Sequence, residues 1–123
     1  VLVQLAYAIG VAEPVSLFID TYGTSNVDLS DAEIAEKLGG FISFTPKAIV
    51  SRFGLKNPIF SPSAAYGHMG RKAYEKEVEV NYANKTEGNG QVQIVQNKQM
   101  KTVTFFPWEK LDLVDGLKEK FGL

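Results

Sequence analysis

Apolar and polar positions alternate along the first part of the chain and predict two strands. Residues 1–9 place Val, Leu, Tyr and Ile side chains on one face and mostly small side chains on the other. A period of two with one apolar face is typical of a strand that is buried on one side. Residues 10–14 are expected to form the exit from this strand. Residues 16–22 then predict a second strand, with Leu17 and Ile19 on one face.

The next segments predict two short helices, each marked by residues at its ends. Ser30 is followed three positions later by Glu33, which is the spacing of a capping box, and Gly39 then ends the periodic pattern. Thr45 precedes Pro46, and this pair favours an N-cap followed by proline at the first helical position. Both helices are therefore predicted from local chemistry.

The stretch 72–104 predicts a β-hairpin. Residues 77–83 and 91–96 both alternate between apolar and polar side chains, and Gly88-Asn89-Gly90 between them is a turn signal. Residues 101–106 are expected to form a third strand.

A last helix is predicted to begin at Pro107 and to end at Gly122. Its apolar face consists of four residues, Leu111, Val114, Leu117 and Phe121. Strands and helices are mixed along the chain without strict βαβ alternation. This order predicts an α+β fold: a two-layer sandwich in which a mixed or antiparallel sheet is backed by helices.

Composition excludes several classes of protein. The 123 residues are 45% hydrophobic and 22% charged, as in ordinary globular domains. Thirteen basic and fourteen acidic residues give a net charge of −1, so the basic excess of a nucleic-acid-binding protein is missing. Because the chain has no cysteine and one histidine, it excludes disulfides, thiolate zinc sites, cysteine nucleophiles and multi-histidine metal sites.

The apolar start of the chain is predicted not to be a membrane segment. Gln4 and the pair Glu13-Pro14 interrupt residues 1–19, and no basic region precedes them as it would in a secretory signal. We expect no membrane association. The chain opens directly in a strand and without methionine, so we expect it to be a piece of a longer protein.

Isolated polar residues suggest no self-contained active site. His68 has no serine or cysteine nucleophile beside it and is interpreted as a structural histidine. Asp20 interrupts an apolar strand, which suits an edge or interface position as well as catalysis. Trp108 is interpreted as a packing anchor. The sequon Asn84-Lys85-Thr86 is interpreted as a chance match.

Several short segments resemble S-adenosylmethionine synthetase, also called methionine adenosyltransferase. They stand in the family's order, cover residues 1–71 and 105–118, and belong to its C-terminal domain: Tyr7–Pro14, Asp20–Thr24, Phe44–Pro46 with Ile49–Phe60 more loosely, Ala64–His68, and Phe106–Lys110. Ordered segments of this kind are more specific than any single short motif. The resemblance implies that residues 1–123 form one domain, the C-terminal domain of a longer enzyme.

The resemblance also implies an activity. Members of this family form S-adenosylmethionine from methionine and ATP and release pyrophosphate and phosphate, with Mg²⁺ and K⁺ as their ions. Their fold consists of three similar α+β domains, and the family assembles as homodimers or homotetramers. The resemblance therefore implies a cytoplasmic enzyme whose partners are ATP, methionine and the upstream domains.

This chain is expected to lack the catalytic machinery of the family. The glycine-rich signatures, phosphate-binding lysines and metal-binding aspartates lie upstream of the matched segments. We therefore expect no catalytic residue, no metal ligand and no bound cofactor here, and no activity of the chain alone. The resemblance assigns one residue to the substrate pocket, Ile9, for apolar contact and size selection. The alternative is a plain core isoleucine.

Two hypotheses about function follow. In the first, the chain is the C-terminal part of the synthetase and supplies scaffold, dimer support and part of the pocket wall. In the second, it is a stand-alone, non-catalytic α+β binding or dimerisation module. Under both, residues 72–104 are expected to be an insertion where other members have a short link.

Overall fold

The computed structural model describes residues 1–88 and 91–123, with side chains described for residues 1–83 and 96–123. The chain divides into two compact units, which we call unit 1 (residues 1–52 and 111–123) and unit 2 (residues 53–110). Asn89 and Gly90 of the predicted turn, and the side chains of the sequon, lie outside the described residues. That residues 1–123 form one domain stays a prediction.

Two antiparallel sheets and three α-helices among the described residues confirm the predicted α+β class. The elements of unit 1 are β1 (Leu2–Ala6), β2 (Ser16–Asp20), α1 (Asp31–Gly39), α2 (Pro46–Arg52) and α3 (Val114–Phe121). The elements of unit 2 are β3 (Tyr74–Gly88), β4 (Gln91–Phe105) and two 3₁₀ turns, Ser61–Ala64 and Pro107–Glu109. No helix among these described elements has the length and apolar character needed to cross a membrane.

In unit 1, β1 and β2 pair antiparallel, with Leu2 opposite Asp20 and Ala6 opposite Ser16. The first strand is shorter than predicted. The amide of Val15 donates to the carbonyl of Ala6 at 2.9 Å, and the chain turns immediately after this bond. Residues 7–9, which alternation assigned to the strand, therefore lie in the connecting loop.

Helix α1 is fixed to the end of β2 by polar contacts. The Ser30 hydroxyl accepts from the amide of Glu33, and the Glu33 carboxylate accepts from the amide of Ser30, so the predicted capping box is present. Thr21 is buried directly after β2 and donates from its hydroxyl to Asp31 at 2.6 Å. The first residue of α1 is thereby joined to the end of the strand.

The last helix begins later than predicted. Pro107 to Glu109 form only a 3₁₀ turn, and Lys110 then returns to an extended conformation with φ −70° and ψ 136°. Helix α3 starts at Val114 and ends, as predicted, before Gly122, which has a positive φ of 74°. A proline that can open a helix also suits a short 3₁₀ turn, so its presence alone did not fix the helix start.

In unit 2, β3 and β4 pair antiparallel along their whole length, from Tyr74 opposite Phe105 to Gly88 opposite Gln91. The third strand expected at residues 101–106 is instead the end of β4. The buried cluster of this unit lies at the base of this pair and consists of Ile59, Val103, Phe105 and Phe106, with Leu55, Val78 and Trp108 packed against it.

Candidate functional site

The loop between β1 and β2 carries Ile9, the residue that the family resemblance assigns to a substrate pocket. The amide of Val11 donates to the carbonyl of Ala8 at 3.2 Å, and Gly10 between them has a φ of 81°. Positive φ is readily adopted by glycine, so this position suits a tight turn. Ile9 therefore lies at the tip of the β1–β2 hairpin.

The side chain of Ile9 is fully exposed, at 106% of its reference area. A core isoleucine would be buried, so within this chain the alternative of a plain core residue is not supported. An exposed apolar side chain at the tip of a turn is available for contact with a substrate or with another part of a protein. The pocket role of Ile9 stays a prediction.

A tyrosine at the beginning of this loop holds it against unit 1. The hydroxyl of Tyr7 donates to the carbonyl of Phe44 at 2.6 Å. The partners are 37 positions apart, so neither alternation nor a local motif could predict the contact. This bond joins the loop that carries Ile9 to the segment before α2.

A cleft of about 460 Å³ lies on unit 1 next to this loop. Its lining combines the loop with the end of α1 and the residues that follow it: Glu13, Pro14, Leu17, and Gly39 to Phe44. Ile9 is not among the lining residues. The polar side chains of this lining are the carboxylate of Glu13 and the hydroxyl of Ser43, and the other lining residues are apolar or glycine, so the cleft holds no set of acid and base groups for chemistry.

Three acidic residues of unit 1, Asp20, Asp31 and Glu33, accept hydrogen bonds at its turns and at the start of α1. Asp20 accepts from the amide of Tyr22 at 2.7 Å, and Asp31 accepts from both the amide and the hydroxyl of Thr21. Hydrogen bonds from the Ser30 hydroxyl and amide lower the pKa of Glu33 below its ordinary value, because they favour the ionised form. Among the described residues, no three His, Cys, Asp or Glu side chains come together as metal ligands.

His68 and Trp108 meet in unit 2. The indole nitrogen of Trp108 donates to the backbone carbonyl of His68 at 2.6 Å, and the two rings meet edge to face. Trp108 also packs against the buried cluster, which confirms its interpretation as a packing anchor. His68 is exposed, and its hydrogen bond with Trp108 uses the backbone carbonyl, while its ring takes part through the edge-to-face contact.

Arg71 also contacts this part of unit 2. Its guanidinium lies 4.7 Å from the centre of the Phe106 ring and donates to the carbonyl of Ala65 at 2.7 Å. Glu109 accepts from the amide of Arg71 at 3.3 Å. These contacts give Arg71 a structural role at the base of unit 2.

The family model described as the C-terminal domain of S-adenosylmethionine synthetase matches residues 1–79. The chain belongs to the S-adenosylmethionine synthetase family. The match covers β1, β2, α1 and α2, and with them the loop that carries Ile9.

Curated relatives extend the similarity over the whole chain. The S-adenosylmethionine synthase of Porphyromonas gingivalis is 48% identical over 122 residues, which is 99% of this chain and 26% of that protein. The same enzyme of Flavobacterium johnsoniae is 47% identical over 123 residues, 100% of this chain and 27% of that protein. That of Bacteroides thetaiotaomicron is 46% identical, with coverage of 99% and 26%. No solved structure matches the chain significantly.

This member of the synthetase family spans about a quarter of the length of the curated relatives it matches. Because those alignments include 99% or more of the chain, they run through residues 72–104 as well. The β3–β4 segment is therefore shared with these relatives. That it is an insertion relative to other members stays a prediction.

Proposed function

We propose that the chain is the C-terminal part of an enzyme that forms S-adenosylmethionine from methionine and ATP and releases pyrophosphate and phosphate. The observation that supports this most strongly is the family match over residues 1–79, together with relatives named S-adenosylmethionine synthase that align over the whole chain. The parent enzyme is a cytoplasmic transferase of one-carbon metabolism, and its ATP and methionine sites are built mainly by its upstream domains.

The role of this chain in the proposed enzyme is to support and to border the site. One face of the β1–β2 sheet faces the interior of unit 1 through Ile19, while the other face exposes Leu2 and Phe18. Gln4, Ser16 and Asp20 share this face, so its exposed apolar side chains are isolated ones, and such side chains can contact another protein surface. We assign this face to scaffold and dimer support in the homodimer or homotetramer, and Ile9 to the wall of the substrate pocket.

The proposed enzyme uses Mg²⁺ and K⁺, but the residues described here do not fit a site for them. Asp20 and Asp31 already accept hydrogen bonds from backbone or hydroxyl groups in turns, and the carboxylate of Glu33 belongs to the capping box. A Mg²⁺ site needs oxygen ligands that converge on one point, usually one or two carboxylates together with waters and substrate phosphates. We therefore assign no catalytic residue and no metal ligand to this chain, and we expect it to be inactive alone.

A reassembly assay tests the proposal. The chain is mixed with a separately produced upstream portion of a family enzyme, ATP, methionine, Mg²⁺ and K⁺, and S-adenosylmethionine is measured. Product should form in the mixture and with neither half alone. Product from the chain alone would contradict its assigned inactivity. Phe18→Lys should reduce the yield because it places a charge on the face assigned to scaffold and dimer support, whereas Ser51→Lys, on exposed α2, adds the same charge elsewhere in unit 1.

The same assay tests Ile9. Ile9→Val removes one methylene from an apolar side chain, and such changes alter discrimination between substrates by roughly tenfold or more. In the reassembled enzyme, the ratio of kcat/KM for S-ethyl over S-methyl substrate should rise. Val11→Ala, in the same loop, is the matched control and should leave the ratio unchanged. An unchanged ratio for Ile9→Val would remove Ile9 from the pocket wall but would leave the proposed reaction intact.

A further inference from the structure

The loop between β1 and β2, residues 7–14, buries little of its surface against the rest of unit 1. Residues 7–13 are all exposed. A Cβ atom added at Gly10 would meet no atom within 4 Å beyond its chain neighbours, so the tip of the turn stands free. Glu13 and Pro14, at the far end of the loop, border the cleft of about 460 Å³. Burial therefore contributes little to holding Ile9 in place.

Hydrogen bonds hold this loop instead. The two backbone bonds at its base and its tip, described above, close the hairpin on itself. Within the described part of the chain, the bond from the Tyr7 hydroxyl to the Phe44 carbonyl, at 2.6 Å, is the one that joins the loop to a segment outside the hairpin. Tyr7 lies two positions before Ile9. The placement of Ile9 relative to the rest of unit 1 therefore depends on this bond.

The acceptor of this bond is itself held in place. Phe44 directly precedes Thr45, whose hydroxyl accepts from the amide of Ala48 at 3.2 Å and whose carbonyl accepts from the amide of Ile49 at 3.0 Å. These two bonds form the start of α2, so the Phe44 carbonyl is next to a helix N-cap. Tyr7 thus connects a loosely packed loop to a fixed point of unit 1.

We propose that Tyr7 is a positioning residue for substrate selection: its bond to Phe44 holds the loop in the arrangement in which Ile9 limits the size of the group on the substrate sulfur. This role rests on the pocket position of Ile9 in the proposed function. Tyr7 acts through the loop and not by contact with the substrate. Segments with few buried contacts open at low cost. Without the bond, the loop opens more often and Ile9 excludes larger S-alkyl groups less well.

Tyr7→Phe removes the donor and keeps the ring. In the enzyme reassembled from this chain and an upstream portion of a family enzyme, the ratio of kcat/KM for S-ethyl over S-methyl substrate should rise about fivefold, the factor expected for one hydrogen bond between neutral groups. For the S-methyl substrate, KM should rise while kcat stays unchanged, because the loop affects binding and not the reacting atoms.

Tyr22→Phe is the matched control in the same unit. Tyr22 is 65% exposed, and the hydrogen bond that involves it comes from its amide and not from its hydroxyl. This variant also loses one phenol hydroxyl, but it should leave the ratio unchanged. An unchanged ratio for Tyr7→Phe, or an equal rise for both variants, would overturn the proposal.

A double variant shows whether Tyr7 acts through Ile9. Effects of residues that act through one another are not additive. In the Ile9→Val background, Tyr7→Phe should therefore alter the ratio by less than about twofold. A full rise in that background would mean that Tyr7 affects selection by another route, which would contradict the proposed role.

Amide hydrogen exchange of the chain itself tests the tether without any activity. The amide of Val11, which donates within the loop, should exchange about fivefold faster in Tyr7→Phe than in the original chain or in Tyr22→Phe. Equal exchange in all three would overturn the proposal. Failure of the proposed function would show differently, as absence of product with the original chain. It would remove the role in selection and leave the tether measured by exchange.

Discussion

Unit 1 and unit 2 differ in the kind of internal contact that stabilises each of them. Unit 1 contains all three α-helices but buries few side chains, and its central contact is polar, from Thr21 to Asp31. Unit 2 contains no α-helix among its described residues and is built on an aromatic cluster around Phe106. Unit 1 therefore depends on turn and capping chemistry, and unit 2 on burial of aromatic side chains.

The β1–β2 and β3–β4 hairpins also differ, in strand length and in how much of each the family model covers. The strands of β1–β2 have five residues each, and their connecting loop carries the family motif with Ile9. The strands of β3–β4 have 15 residues each, and the family model ends within β3 at residue 79. A short hairpin with a motif in its loop suits the presentation of one side chain. A long hairpin with open edges suits contact along its length.

The aromatic cluster of unit 2 allows the strongest test of this comparison. Phe106 is 2% exposed, and its ring meets those of Trp108 and Tyr74. Phe106→Ala should lower the free energy of unfolding of unit 2 by about 3–5 kcal/mol, through lost burial and the cavity left behind. The fluorescence of Trp108 follows this unit, since Trp108 is the only tryptophan of the chain.

Phe60→Ala is the matched control for this loss. Phe60 also stacks on Trp108, with ring centres 6.5 Å apart, but it is half exposed. It should cost only about 1 kcal/mol, as is usual for an aromatic pair with little burial. Equal losses for the two phenylalanines would mean that burial at position 106 does not stabilise the unit.

In unit 1 the corresponding test removes a polar contact. Thr21→Val keeps the shape of the side chain but removes its hydroxyl donor to Asp31. A hydrogen bond to a charged group contributes about 1.5–3 kcal/mol, so the free energy of unfolding should fall by that amount. The helical circular dichroism signal at 222 nm follows unit 1, where the α-helices lie.

Thr24→Val provides the comparison for Thr21. The hydroxyl of Thr24 donates to the neutral carbonyl of Thr21 at 2.7 Å, and such bonds contribute about 1 kcal/mol. A loss at Thr21 no larger than at Thr24 would show that the charge of Asp31 adds nothing to the contact. The contrast between a polar unit 1 and an aromatic unit 2 would then need revision.

The same contrast explains which elements could be predicted from the sequence. Helices α1 and α2 were predicted because their signals are local: Ser30 with Glu33, and Thr45 with Pro46, act within one turn of backbone. The Thr45 hydroxyl indeed accepts from the amide of Ala48 at 3.2 Å. Local chemistry is present in the sequence whatever the rest of the chain does.

Features that depend on distant residues were missed or misplaced. Pro107 indicated a helix start, but Phe106 before it is buried with a positive φ of 51°, and the chain forms a 3₁₀ turn instead. The Tyr7–Phe44 bond joins segments with no shared pattern. Ile9 was assigned through family resemblance, since alternation placed it in a strand, and its exposure emerged only from the fold.

The smallest expected effect concerns the capping box at the start of α1. Hydrogen bonds from Ser30 lower the pKa of Glu33 in the folded chain, so the ionised carboxylate is favoured more there than in the unfolded chain. Its stabilising contribution is therefore present above the ordinary pKa of glutamate. That contribution is lost as the pH falls through the lowered, folded pKa.

Glu33→Gln isolates this contribution, because it removes the titration and keeps the size of the side chain. The original chain should be more stable than Glu33→Gln near neutral pH, by 222 nm unfolding curves, and the difference should shrink as the pH falls below the ordinary value of 4.5. Glu36→Gln, in the next turn of α1 and outside the capping box, controls for loss of a carboxylate from the helix. Ser30→Ala should reduce the same pH dependence, because it removes the hydroxyl but keeps the backbone amide that donates to Glu33, and it should cost about 1 kcal/mol. A difference that stays constant across this acidic range would contradict the assignment and would leave α1 held mainly by the bond between Thr21 and Asp31.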